Sequence, residues 1–132
     1  MTIEQIMVGD YLKITEPDKF AGYIGEVKNI GAESKYLTLY LEPYHDIDVF
    51  IEDVTPIPIT DVFLRMNFEK KTFYGIFDDY FDLDIREYSD SIFIVTYHAC
   101  EFNIPDQTIH VSWVHELQHF LNHCGITHEI KL

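Results

Sequence analysis

Short runs in which apolar and polar residues alternate recur along most of this chain, and they restrict it to a mostly β fold. Residues 36–41, Tyr-Leu-Thr-Leu-Tyr-Leu, alternate without a break, as a strand with one buried face does. Similar runs between turn-forming residues predict further strands at 22–30 and 48–54, and residues 8–14 predict a turn that leads into another strand. The inward alternating positions of this set include Val27, Leu39 and Ile51. We therefore expect residues 1–58 to form a small β-barrel.

A second unit is predicted for residues 59–132, after a short stiff connector, Pro-Ile-Pro-Ile-Thr. Thr60 suits the N-cap of a helix at 61–67, whose apolar face would consist of Val62, Phe63 and Met66. Alternating segments separated by Asp- and Ser-rich turns then predict antiparallel strands at 72–77, 82–88, 92–99 and 107–111.

The C-terminal segment carries a helical pattern instead. Its apolar residues recur at helical spacing and comprise Trp113, Val114, Leu117, Phe120, Leu121 and Cys124. Ser112 suits the N-cap, and Gly125 suits the left-handed residue that follows a helix. The predicted fold class is α+β and mostly β. A small N-terminal β-barrel is followed by an antiparallel meander, which a C-terminal amphipathic helix at about 113–124 covers.

The same helix contains the string H-E-x-x-H, which in zinc hydrolases supplies two metal ligands and a general base. Here His115 and His119 would bind Zn²⁺ and Glu116 would act as the base. A catalytic zinc needs a third protein ligand. The residues after His119 lack the required spacing, so the third ligand would come from upstream, for example from His98 or His110.

The other interpretation assigns these histidines to the polar face of an amphipathic helix. The residues opposite the apolar stripe are His115, His119, Asn122 and His123, and they would face solvent or a cleft. We favour this interpretation, which predicts no catalytic residue, no bound metal and no cofactor. A zinc-dependent hydrolase is the alternative.

The formal net charge of −14 limits the partners of the chain. Residues 1–58 hold four lysines and eleven acidic residues, and residues 59–132 hold five basic and twelve acidic residues, so each part has a net charge of −7. Direct binding to nucleic acid or to an anionic membrane needs a positive surface and is disfavoured. An acidic surface suits a protein partner or mimicry of nucleic acid.

A local acidic cluster does not form a recognisable site. Its members are Asp78, Asp79, Asp82, Asp84, Glu87 and Asp90. They lack the spacing and the glycine of a calcium-binding loop, so we expect them to form the wet face of a strand and its turns.

The chain has the features of a cytoplasmic protein. No run approaches the about 20 apolar residues of a membrane helix, and the first residues do not resemble a signal peptide. Cys100 and Cys124 are far apart in sequence, and we expect reduced core residues rather than a disulfide.

Residues 6–56 resemble a KOW-type small β-barrel. The resemblance rests on Val-Gly-Asp at 8–10, Gly-x-x-Gly-x-Val at 22–27 and two strands that end in Ile-Glu-Asp-Val at 51–54. Barrels of that family often contact RNA or ribosomal proteins through basic loops. Here the connecting segments carry acidic residues such as Glu42 and Asp46, so the resemblance implies the fold without the nucleic-acid function.

The whole chain looks like a group of small uncharacterised proteins encoded in Bacteroidetes phages and mobile elements. The resemblance rests on the Pro-rich hinge and on the closing Val-His-Glu-Leu-Gln-His with Cys-Gly-Ile. In that group the second histidine and the glutamate of the closing motif often differ, which implies no metal site. We therefore expect a non-enzymatic accessory protein that acts on a protein partner through an acidic surface, in counter-defence or host modulation. The alternatives are a zinc hydrolase and an acidic nucleic-acid mimic.

Overall fold

A computed structural model describes residues 2–16, 18–31, 33, 35–42, 45–101 and 103–132. The chain divides into two compact units, one ending at Ile57 and the other beginning at Pro58. Strands outnumber helices in both, so the predicted α+β, mostly β fold class is confirmed. Among the described residues, no helix is long and apolar enough to cross a membrane.

The first unit is an antiparallel sheet that curls into a half-barrel. Its strands are β1 (Tyr11–Ile14), β2 (Ile24–Ile30), β3 (Tyr36–Leu41), β4 (His45–Phe50) and β5 (Val54–Thr55), in the spatial order β4-β3-β2-β1-β5. The turn and strand predicted within 8–14 and the strands predicted at 22–30 and 36–41 are confirmed in position. The single strand predicted at 48–54 is wrong, because a 3₁₀ turn at Ile51–Asp53 separates β4 from β5.

One side of this sheet carries the core of the unit. Its buried apolar residues are Ile6, Leu12, Ile14, Val27, Leu37, Leu39, Leu41, Val49 and Val54. Val27 and Leu39 are buried as predicted. Ile51 is only partly buried, because it lies in the 3₁₀ turn rather than in a strand. Since burying a Leu or Val side chain contributes about 1.5–3 kcal/mol, these residues dominate the stability of the unit.

The described residues of the second unit form two helices, α1 (Asp61–Asn67) and α2 (Val114–His123), and a second antiparallel sheet. Its strands are β6 (Glu69–Lys70), β7 (Tyr74–Phe77), β8 (Phe81–Ser89), β9 (Ile92–Ala99) and β10 (Gln107–Val111), in the order β10-β9-β8-β7-β6. Strands β8, β9 and β10 confirm the positions of the strands predicted at 82–88, 92–99 and 107–111. The strand predicted at 72–77 is shorter, because Lys71 N–H donates to the Phe73 carbonyl at 3.1 Å in a turn between β6 and β7.

Helix α1 has the predicted bounds and the predicted N-cap. The Thr60 hydroxyl oxygen accepts the N–H of Phe63 at 3.1 Å. The predicted apolar face is wrong, because Val62 and Met66 are exposed and Leu64 is buried beside Phe63. The helix has only about two turns, and apolar residues occur on both of its sides, so the sequence pattern did not distinguish the buried side.

Asn67 completes the buried side of α1 and holds the C-terminal segment of the chain. Its Nδ2 donates to the Lys131 carbonyl at 2.7 Å, and its Oδ1 accepts the Lys131 N–H at 2.5 Å. His128 Nε2 lies 2.6 Å from the Asn67 carbonyl oxygen, and the His128 ring stacks on Phe68. The residues after α2 are therefore fixed to α1 by paired polar groups.

Helix α2 packs against β10, the strand that precedes it. Of the predicted apolar stripe, Val114, Leu117, Phe120 and Leu121 are buried as expected. Trp113 is 38% exposed at the N-cap and Cys124 is only partly buried, so the prediction is wrong for Trp113. The helix spans 114–123 rather than 113–124, and its N-cap is Trp113 rather than Ser112.

The C-terminal end of α2 closes as the sequence predicts. Gly125 has a φ of 72°, a conformation that glycine adopts without strain. The N–H of Gly125 donates to the backbone carbonyl of Asn122 at 3.0 Å, and the N–H of Ile126 donates to the backbone carbonyl of Leu121 at 2.9 Å. These two hydrogen bonds form a Schellman motif.

Candidate functional site

Glu116 stabilises the start of α2. Its Oε1 atom accepts the backbone N–H groups of Ser112 at 2.9 Å and of Trp113 at 3.1 Å. These N–H groups precede the first helical turn, where no carbonyl of the helix can accept them. The carboxylate also lies at the positive end of the helix dipole. The group that the zinc hypothesis would use as a general base is therefore engaged in capping.

The prediction that His115 belongs to a polar helix face is wrong. Its side chain is only 4% exposed, and its ring lies edge-on to His119 with centroids 5.6 Å apart. The helix begins where Ile59 N–H donates to the Ser112 carbonyl at 3.0 Å and Pro58 pairs with Trp113. This pairing places residues 58–59 beside the start of α2. The helical pattern of the sequence gives no information on that neighbouring segment.

The two later histidines of the helix line an open cleft of about 350 Å³. His119 and His123 share this cleft with Phe120 from α2 and with Gln107 and Ile109 from β10. His123 Nε2 lies 3.0 Å from Gln107 Oε1, so one of the histidines is tied to the strand.

The upstream histidines that could complete a zinc site lie on the opposite face of this sheet. His110 lies three residues after Gln107 on β10, so their side chains point to opposite faces of the sheet. On β9, Tyr97 pairs with Gln107, and His98 is the next residue, so it also faces away from the Gln107 side. Because successive side chains of a strand point to opposite faces, neither His98 nor His110 lies beside the helix histidines. In the part of the chain that the structure describes, no three His, Cys, Asp or Glu side chains form a group that could hold a metal ion.

His98 is held by two carboxylates instead. Its Nε2 lies 3.2 Å from Asp84 Oδ2, and its Nδ1 lies 2.8 Å from Asp106 Oδ2. The network joins β8, β9 and the segment before β10, and all three side chains are partly exposed. The acidic cluster at 78–90 therefore does not act as one group, because Asp78 accepts the N–H of Tyr80 at 3.0 Å within its own turn.

The two cysteines are free, but they differ in exposure. Cys100 is exposed, so the prediction that it belongs to the core is wrong. It follows the last residue of β9, where the chain leaves the sheet. Cys124 is partly buried at the end of α2, and burial raises the pKa of its thiol.

The outer face of the first sheet combines exposed aromatic and acidic side chains. We call it the acidic–aromatic face, and it consists of Tyr36, Tyr40, Asp46, Asp48 and Phe50. Tyr36, Tyr40 and Phe50 are 46%, 36% and 42% exposed, and both aspartates are exposed. The pairing of β3 with β4 places Tyr36 opposite Phe50 and Tyr40 opposite Asp46. Alternation sends the leucines of β3 to the core and these side chains outward.

The geometry of this face favours contact with cations. The rings of Tyr36 and Phe50 lie 4.7 Å apart between centroids and form a continuous aromatic surface. Lys28 places its ammonium 5.8 Å from the centroid of Tyr40, so a cation already lies over the edge of the face. A hydrogen bond from Lys28 to Glu26 raises the pKa of that lysine.

Comparisons with protein-family profiles, curated proteins and solved structures give no match to this chain. The function therefore has to be inferred from its own residues. The acidic–aromatic face was not predicted from the sequence, because Asp46 was expected in a connecting segment, whereas it lies within β4. The pattern Asp-x-Asp-x-Phe at 46–50, beside Tyr-x-Thr-x-Tyr at 36–40, was the available signal.

Proposed function

We propose that this chain is a cytoplasmic, non-enzymatic accessory protein that binds a protein partner through the acidic–aromatic face. The observation that carries the proposal is the exposure of three aromatic side chains beside two aspartates on one sheet face. The phage or mobile-element setting comes from the sequence resemblance alone. That setting makes counter-defence or host modulation the corresponding role.

Aromatic side chains are enriched in protein interfaces, where they bury a large area at a low cost in side-chain entropy. A solvent-exposed pair such as Tyr36 and Phe50 has this potential area available. Asp46 and Asp48 add negative charge beside the rings, which selects a basic partner over an acidic one. The net charge of −7 on residues 1–58 accelerates the encounter with such a partner at low salt.

Affinity capture with matched charge variants tests this proposal. One variant carries Asp46→Lys and Asp48→Lys on the face. The control carries Asp79→Lys and Asp90→Lys, which change the net charge equally at exposed positions of the second unit. We expect the intact chain and the control to retain a partner from host lysate that the face variant loses. Partner binding should weaken as salt rises, since salt screens exposed charges.

Two outcomes would overturn the proposal. Equal retention of the partner by the face variant and the control would show that the partner binds elsewhere. Stoichiometric zinc in protein purified without a His-tag, removed by a chelator with loss of an activity, would favour the zinc hydrolase instead.

A further inference from the structure

Strand β4 lies at one edge of the first sheet, next to the exposed aromatic residues. Among the described strands, only β3 pairs with it, over all six of its residues from His45 to Phe50. An edge strand presents backbone N–H and C=O groups that can pair with another extended chain. From this edge we infer that the partner docks as an added β-strand, an extended basic segment with Lys or Arg at every second position. This inference rests on the proposed function of the acidic–aromatic face.

The hydrogen bonding of β3 with β4 shows which backbone groups point to the open edge. Ile51 N–H donates to the Lys35 carbonyl at 3.0 Å, so this pair is hydrogen-bonded. In an antiparallel ladder, hydrogen-bonded and non-hydrogen-bonded pairs alternate. The pairs of β3 with Val49 and Ile47 are therefore hydrogen-bonded, and those with Asp48 and Asp46 are not. The N–H and C=O groups of Asp46 and Asp48 consequently point away from β3.

The same two residues also set the chemistry of the occupant. Asp46 and Asp48 direct their side chains to the outer face and their backbone groups to the open edge. A residue that pairs directly with either one in an added strand places its own side chain on the same outer face. Opposite charges at such positions stabilise the pair, whereas like charges destabilise it. Charge complementarity thus calls for Lys or Arg opposite each aspartate.

The neighbouring aromatic residues extend this preference. Tyr40 and Phe50 flank the aspartates on the outer face, where the stems and charged groups of bound basic side chains can contact their rings. A second copy of this chain is a poor occupant, because antiparallel pairing of two β4 strands would bring aspartates together. The aspartates therefore disfavour self-association at the edge while they favour a basic segment.

N-methylated peptides test the inference directly. The probe is a short fluorescent peptide of alternating lysine and valine, titrated against the full chain. The inferred strand adds antiparallel to β4, so each lysine forms a hydrogen-bonded pair with the aspartate opposite it. In that arrangement the lysine N–H groups face β4 and the valine N–H groups face away. We expect methylation of the lysine amides to weaken binding by at least about tenfold, since it removes backbone hydrogen bonds. Methylation of an equal number of valine amides should leave the affinity within about threefold.

Hydrogen exchange provides a second readout on the protein itself. We expect the amides of Asp46 and Asp48 to exchange rapidly in the free chain and to be protected by the peptide. The amides of Ile47 and Val49 should be protected with or without it, because they bond to β3.

The outcomes separate this inference from the proposed function. If both methylated peptides bind equally well and Asp46→Lys with Asp48→Lys abolishes binding, the face acts by charge alone and strand addition is wrong. If no basic peptide binds while the captured partner still depends on the face, strand addition is again wrong and the proposed function stands. If the face variant keeps both the peptide and the partner, both proposals fail.

Discussion

The replacement of Glu116 by alanine distinguishes a capping role from a catalytic role. Glu116 accepts two backbone N–H groups ahead of α2, from Ser112 and Trp113. Alanine removes this acceptor and leaves both N–H groups to water. Loss of a helix cap costs about 0.5–2 kcal/mol, and loss of a negative charge near a helix N-terminus costs about 0.3–1 kcal/mol. We therefore expect Glu116→Ala to lower the free energy of unfolding by about 1–3 kcal/mol.

Two matched variants resolve the origin of that loss. Glu116→Gln keeps an oxygen acceptor and removes only the charge, so it should cost about 0.3–1 kcal/mol. His119→Ala changes a partly exposed residue of the same helix and should cost less than about 0.5 kcal/mol. His115 is unsuitable as this control because its side chain is buried.

Urea unfolding followed by circular dichroism measures these differences, with thermal unfolding as a second assay. A change of 1 kcal/mol shifts Tm by about 4–8 °C in a domain of about 60–100 residues. If Glu116→Ala unfolds at the same urea concentration as the unmodified chain, the carboxylate does not cap α2. In that case the hydrogen bonds to Ser112 and Trp113 would contribute nothing, and the zinc hypothesis would regain its general base.

Three further predictions concern stability and reactivity. Leu117 is completely buried, so Leu117→Ala should lower the free energy of unfolding by about 2–5 kcal/mol. The control Val62→Ala, on the exposed side of α1, should change it by less than about 0.5 kcal/mol. Similar urea midpoints for the two variants would contradict the assigned core. Asn67→Ala leaves the Lys131 backbone groups without their partner, so it should lower the free energy of unfolding by about 1–3 kcal/mol and speed hydrogen exchange at the Lys131 amide. Unchanged exchange would show that this pairing is absent in solution. Thiol reagents should modify exposed Cys100 before Cys124, because burial raises the pKa of the Cys124 thiol and lowers its thiolate fraction at a given pH. Mass spectrometry of partly labelled protein measures the order, and labelling of Cys124 first would refute it.

The alternating pattern of the sequence was sufficient to predict most of the fold. Strands β3, β9 and β10 have the predicted bounds, as does α1. A two-residue period specifies both the strand and its buried side, and threonine and glycine mark the helix ends by their own chemistry. The same two-residue period also produced the incorrect single strand at 48–54, because a 3₁₀ turn can carry apolar residues at spacings that resemble those of a strand.

The sites were harder to predict because they depend on contacts between distant parts of the chain. The helical pattern placed His115 on a polar face, but that pattern contains no information on the segment at 58–59 that pairs with the start of α2. The acidic–aromatic face likewise requires the register of β3 on β4, which places Tyr36 opposite Phe50. The link between His98 and Asp106 crosses from β9 to the segment before β10 and has no local sequence pattern.

Amide chemical-shift mapping shows directly whether the acidic–aromatic face binds a basic protein segment. The isotope-labelled full chain is titrated with the alternating lysine–valine peptide, and the shifted amides are assigned along the chain. We expect the largest shifts in β3 and β4, at Tyr36, Tyr40, Asp46, Asp48 and Phe50. Shifts centred on the acidic cluster at 78–90, or spread evenly over all acidic residues, would contradict this binding site.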